Sequence, residues 1–195
     1  VFGDSFFSLK MFPILIYFFI SFALYKLCLS LSFSKKNSIF CAISFLIIPA
    51  ASLSSFLIST DLLLLLFWIM SLIKILELRN DESILNFCLL GLFLGLAFLA
   101  KYAAVYFVIS LIFLIILDKK TLSLFKRNPL GITVFIFSFF LVLFPNIYWN
   151  IRNGWVTISH TSGNANLNNL EINLYEPIKF LSAQILMVGP FLFFS

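Results

Sequence analysis

The chain has 195 residues, of which 62% are hydrophobic and 11% charged, with a mean hydropathy of +1.11. A water-soluble globule cannot bury that much apolar surface, so a soluble enzyme, a secreted disulfide scaffold and a disordered tail are excluded together. The net charge of +5 and pI of about 9.2 do not indicate nucleic acid, because the cations sit in short breaks between apolar runs, where Lys and Arg set membrane orientation.

The expected fold is an all-α, polytopic transmembrane helical bundle of about seven spans. The apolar segments lie at 11–32, 38–58, 62–76, 84–99, 102–118, 130–149 and 178–195. The run 38–76 is too long for one crossing, and Ser59-Thr60-Asp61 interrupts it with residues suited to a turn, Asp61 capping the next helix. Lys101 interrupts the run 84–118, without a Gly or Pro to reinforce the break. Five spans result if both breaks fail.

With Lys26, three breaks hold nine of the thirteen cations: Lys35 and Lys36; Lys74 and Arg79; Lys119, Lys120, Lys126 and Arg127. In a seven-span arrangement all three fall on one side, which should be cytoplasmic. Residues 1–10, the Ser59–Asp61 turn, the Lys101 turn and the loop 150–177 then share the extracytoplasmic face. That loop is rich in Asn and carries the single histidine, His160, with Arg152, Glu171 and Glu176. Loops of this length in compact proteins are often functional.

Asp61 and Lys101 are the sharpest chemical signals. Ionisable groups at span ends suit a transferase meeting a lipid-linked substrate. The plainer reading is a helix cap and a snorkelling lysine, and a third is that the two pair with each other. His160 reads either as a surface residue or as a functional one; a metal site there would need carboxylates from elsewhere. Gly91 and Gly95 have the spacing of close helix packing. Trp149 and Trp155 suit an interfacial belt, and Tyr25, Tyr102 and Tyr106 suit belt or core. Cys28, Cys41 and Cys88 lie in apolar runs without metal-ligand spacing and read as small core residues. No Gly-x-Ser-x-Gly elbow accompanies Ser159 or Ser162, and no phosphate-binding Gly-rich loop is present.

An ordered set of motifs resembles a known family. It comprises Gly3-Asp4 through Lys10 and Pro13, Ser59-Thr60-Asp61, and Gly91 to Gly95 running on to Lys101-Tyr102. Pro145, Trp149-Asn150, Asn153-Gly154-Trp155, His160-Thr161, Asn164-Ala165-Asn166, Gln184 and Gly189-Pro190 continue it. The chain resembles the bacterial family-39 type of GT-C glycosyltransferase, similar to protein O-mannosyltransferases and the lipid A aminoarabinose transferase. The resemblance implies a multi-pass enzyme of the bacterial cytoplasmic (inner) membrane. It would move sugar from a polyprenyl-phosphate donor to a glycolipid or protein acceptor at the extracytoplasmic face, with membrane lipid as a further partner and no nucleic acid.

By the same resemblance Lys101 matches the lysine near the donor phosphate, and Asp61 the aspartate of the turn. Both are catalytic candidates; Lys10, Lys101 and Arg152 are candidates for substrate binding. His160 matches a loop histidine that helps hold a divalent metal. Lys10 stands where relatives carry Arg, keeping charge but losing the bidentate fork. Residues 1–195 read as a partial transmembrane domain, since Val1 is not Met and 1–10 lacks a signal-peptide layout. The first span, the first outer loop with the main catalytic carboxylate, and the C-terminal spans are expected to lie outside it, leaving the fragment itself inactive. A transporter or flippase, or a non-catalytic remnant, is the competing reading.

Overall fold

The computed structural model describes residues 6–55, 57–164 and 175–188, and the described chain is all helical. Helix α1 is Phe6–Ser30, α2 Lys35–Ile47, α3 Pro49–Ser54, α4 Thr60–Leu78 and α5 Ile84–Ala100. A 3₁₀ turn, Tyr102–Ala104, leads into α6, Val105–Leu117, followed by α7, Lys119–Arg127. Helices α8, α9 and α10 are Pro129–Arg152, Val156–Asn164 and Tyr175–Val188.

The expectation of about seven spans is overturned. Among the described residues two helices, Lys10–Ser30 and Pro129–Arg152, are long and apolar enough to cross a membrane. A third is reached if Tyr102–Leu117 and Lys119–Arg127, bent by 97° at Asp118, form one broken span. The other apolar runs fail for separate physical reasons. Pro49 splits the second, because the residue before a proline is driven out of the helical region; Ile48 sits at φ −54°, ψ 125°. Helix α4 carries Asp61, Lys74 and Glu77 within 19 residues. Helix α5 has 17 residues and α6 has 13, about 25 and 20 Å at 1.5 Å per residue, short of a ~30 Å hydrocarbon core. The seventh run begins inside α10, and its last residues, 189–195, lie outside the described ones.

Helix α5 is the centre of the packing. Phe87, Leu90, Leu94 and Ala97 on it are fully buried, between α4 on one side and α8 on the other. Gly91 and Gly95 act as the packing face expected of them. A Cβ at Gly91 would meet Ser138 Oγ at 2.1 Å and the Phe135 carbonyl oxygen at 2.3 Å; at Gly95 it would meet Val142 Cβ at 2.9 Å. Together with Phe87 against Gly131, these contacts show α5 and α8 running parallel. Helix α4 runs antiparallel to α5, with Phe67 stacked on Phe93 and Lys74 bonded to Asn86. Helix α1 packs on α4 through Ile20, Ala23, Ile69 and Ile73, and on α2 through Tyr17 and Phe45.

Both long spans present apolar side chains outward, among them Phe18, Phe22, Phe137 and Phe144, each more than half exposed. Surface of that kind is stable against lipid and not against water, so the chain associates with membrane through its apolar helices. Cys28, Cys41 and Cys88 carry free thiols.

Candidate active site

The parallel and antiparallel pairings bring the start of α4, the end of α5 and the last turns of α8 to one end of the bundle. Ser59 caps α4. Its hydroxyl oxygen accepts the Asp61 N–H at 3.1 Å, and the hydroxyl donates to Asp61 Oδ2 at 2.9 Å. The expected capping role of Asp61 is thus filled two residues earlier, which leaves the Asp61 carboxylate facing outward. Helix α5 ends at Ala100, and Lys101 is extended, with φ −161° and ψ 135°. The break at Lys101 is held by its own amide, which donates to Ala97 O, and by its carbonyl, which accepts from Ala104 N–H.

Across that end Lys101 Nζ stands 2.5 Å from Asp61 Oδ1. The side chains remain 46% and 61% exposed, so this pair is open to solvent and to an incoming anion. The hydrogen bond from Lys101 holds the Asp61 carboxyl below the usual carboxylate range; partial burial opposes this and Ser59 adds to it.

Beside the pair lies a cleft of about 940 Å³. Phe98, Leu99, Ala103 and Val105 supply an apolar wall; Lys101, Asn146, Thr157, His160 and Thr161 supply polar groups. One wall is α9, which follows a tight turn with Gly154 at φ +65° and Trp155 at φ +59°. Two successive left-handed residues are costly without glycine at both positions, and here Trp155 N–H is fastened to Asn150 O at 2.9 Å. The loop expected over 150–177 is therefore helical at both described ends, while Glu171 and the run Ala165-Asn166 lie outside the described residues.

A polar network fixes α9 to the bundle. The Tyr102 phenol lies 2.8 Å from Thr157 Oγ1 and 3.1 Å from Asn146 Oδ1. The Thr157 hydroxyl donates to Asn150 Oδ1, and Asn150 Nδ2 donates back to Asn146 O at 3.0 Å. Sequence reasoning read Tyr102 as belt or core and Asn150 only as part of a motif, passed over Asn146, and gave none of the four residues a place in a polar network. The available signal was Asn146 and Asn150, one helical turn apart within an otherwise apolar segment.

Of the residues singled out from sequence, Asp61, Lys101 and His160 come together at this end. Lys10, half-buried at the start of the first span, and Arg152, exposed and stacked 5.0 Å over the Tyr148 ring, are not among the residues lining the cleft. No three His, Cys, Asp or Glu side chains converge among the described residues. Among the described residues, the donors around His160 therefore do not make up a divalent-cation site.

Residues 1–149 match the family described as dolichyl-phosphate-mannose-protein mannosyltransferase. The chain is also 31% identical, over 152 residues, to the lipid A galacturonosyltransferase RgtD of Rhizobium johnstonii. That alignment takes in 78% of this chain and 31% of the relative, so the chain spans about a third of the relative's length. No solved structure matches it. With a family match reaching from the first residue through Asp61 and Lys101 to Trp149, the chain belongs to the dolichyl-phosphate-mannose-protein mannosyltransferase family.

Proposed function

We propose that this chain forms the donor-binding part of a membrane glycosyltransferase of the family-39 GT-C type, acting on a polyprenyl-phosphate-linked sugar. The observation that carries the reading is the exposed Lys101–Asp61 pair at the mouth of a cleft with an apolar wall. An isoprenoid phosphate has the matching character, a greasy chain joined to an anionic head. As the glycosidic bond breaks, negative charge grows on the departing phosphate, and a cation already in place stabilises it. Lys101 is assigned that role.

Asp61 holds Lys101 ready in the empty site. When the phosphate takes over the ammonium group, Asp61 is left as an unpaired carboxylate beside the reacting centre. His160, on the opposite wall, is assigned to hydrogen-bond the sugar or its phosphate. Lys10 and Arg152 are assigned to the approach of the anionic donor to the membrane surface rather than to the cleft. The acceptor is a glycolipid or a protein, and the site faces the extracytoplasmic side of a bacterial inner membrane. Support for that side comes from the opposite end of the bundle, where Lys74, Arg79, Lys119, Lys120, Lys126 and Arg127 gather.

Photolabelling of the chain in lipid nanodiscs with a polyprenyl-phosphate probe tests the reading. The expected result is labelling that unmodified polyprenyl phosphate competes away and that falls at least about tenfold in Lys101→Ala, the scale of a lost charge-assisted contact. Labelling equal in both proteins would exclude the assignment.

A further inference from the structure

The end of the bundle away from the cleft holds a second constellation. At Asp118 the chain turns through 97° from the apolar helix Tyr102–Leu117 into Lys119–Arg127. Asp118 makes the corner rigid. Its carboxylate accepts from Thr121 N–H at 3.0 Å, from Thr121 Oγ1 at 2.5 Å and from Arg79 Nη2 at 2.6 Å. Helix α7 is two-faced: Thr121, Leu124 and Phe125 are buried against the bundle, while Lys119, Lys120 and Lys126 are exposed on the other side. A helix so divided lies along a membrane surface rather than through it.

The acids nearby are already engaged. Asp118 pairs with Arg79, and Glu82 with Arg127 and Asn128. Among the described residues none of the three lysines makes an ion pair. Two acid–arginine pairs cancel, Asp81 on the neighbouring turn is bonded to the Asn86 amide, and Lys119, Lys120 and Lys126 remain exposed at the corner. Helix α6, leading to it, exposes Ile109, Ile112, Phe113, Ile116 and Leu117, between 44% and 78%. Their spacing, i, i+3, i+4, i+7 and i+8, places them on one face, and this apolar strip ends two residues before Lys119.

An apolar strip ending in unpaired cations has the complementary form of an anionic amphiphile. We infer that the α6–α7 corner is a binding site for an anionic phospholipid, with its acyl chains along the exposed face of α6 and its headgroup phosphate held by Lys119, Lys120 and Lys126. A zwitterionic lipid offers the same phosphate but brings its own cation against the lysines, so the site discriminates by net headgroup charge.

Native mass spectrometry of the purified chain, loaded with equal phosphatidylglycerol and phosphatidylcholine of matched acyl chains, reads the preference directly. The expected result is phosphatidylglycerol retained over phosphatidylcholine by about tenfold. The preference disappears in the combined Lys119→Gln, Lys120→Gln, Lys126→Gln variant and persists when the same three positions carry Arg, or in Lys35→Gln with Lys36→Gln. An unchanged preference in the triple Gln variant overturns the assignment, as does its loss in the Lys35/Lys36 variant. A second measurement stands even if the triple variant does not fold. A benzoylphenylalanine photocrosslinker at Leu122, which shares a helical edge with Lys119 and Lys126, captures phosphatidylglycerol preferentially; equal capture of both lipids overturns the site.

Discussion

Lys101 Nζ and Asp61 Oδ1, forty positions apart in sequence, meet at 2.5 Å where α5 ends and α4 begins. The contact follows from the antiparallel pairing of two helices whose facing ends are both polar breaks. Its exposure limits what it adds to stability, since open ion pairs contribute about 0–1 kcal/mol. Asp61→Asn is therefore expected to lower the unfolding midpoint in detergent only slightly. The same variant releases Lys101, so polyprenyl-phosphate binding strengthens while Lys101→Ala weakens it. Competition labelling with both variants checks the opposite signs.

The pH dependence of the pair has a definite direction. The folded-state pKa of Asp61 lies below its unfolded value, chiefly through the hydrogen bond from Lys101. The stabilisation is then fully present above the ordinary carboxylate pKa of about 3.9 and is lost as pH falls through the lower folded value. The stability difference between the native chain and Asp61→Asn should stay constant from neutral pH to about pH 5 and vanish in stronger acid. Carboxyl ¹³C titration should place Asp61 below the usual range and return it there in Lys101→Met.

Helix packing gives a ranked prediction. At Gly91 the nearest obstacle to a Cβ includes the Phe135 backbone oxygen at 2.3 Å, which cannot move without shifting α8. At Gly95 the closest atom belongs to the Val142 side chain at 2.9 Å. Gly91→Ala is expected to destabilise by about 1–3 kcal/mol, as overpacking does, and Gly95→Ala by less. Thermal unfolding of the two variants side by side tests the order.

Tyr102 joins α9 to the bundle through Thr157 and Asn146. Tyr102→Phe removes the shared hydroxyl, but Asn146 Oδ1 still accepts from Asn150 Nδ2 and Thr157 still donates to Asn150 Oδ1, so the cost is about 0.5–1.5 kcal/mol per hydrogen bond lost. The loss should be local. Hydrogen exchange is expected to quicken across Val156–Asn164 while Ile84–Ala100 keeps its protection; uniform quickening would mean that the network supports the whole bundle instead.

Much of this end of the molecule was legible in the sequence, because polar breaks in apolar runs are rare and costly and so mark chain reversals. Ser59-Thr60-Asp61 and Lys101 announced two helix ends, and the possibility that Asp61 and Lys101 pair was open from their positions alone. The number of spans was not legible by apolar length. Pro49 divides what reads as one segment, and the 97° turn at Asp118 ends α6 after 13 residues. The Tyr102–Asn146–Asn150–Thr157 network was hidden for another reason. Its members are spread over 55 positions on three elements, and only the parallel packing of α5 and α8 brings them together.

Peptide mapping of the polyprenyl-phosphate photolabel on the chain in nanodiscs tests the central claim most directly, since it reports where the donor sits rather than whether it binds. The account predicts label on the peptides containing Phe98–Tyr106 and Val156–Thr161, the two walls of the cleft beside Lys101. Label confined to α1, or spread evenly over the lipid-facing helices, would contradict it.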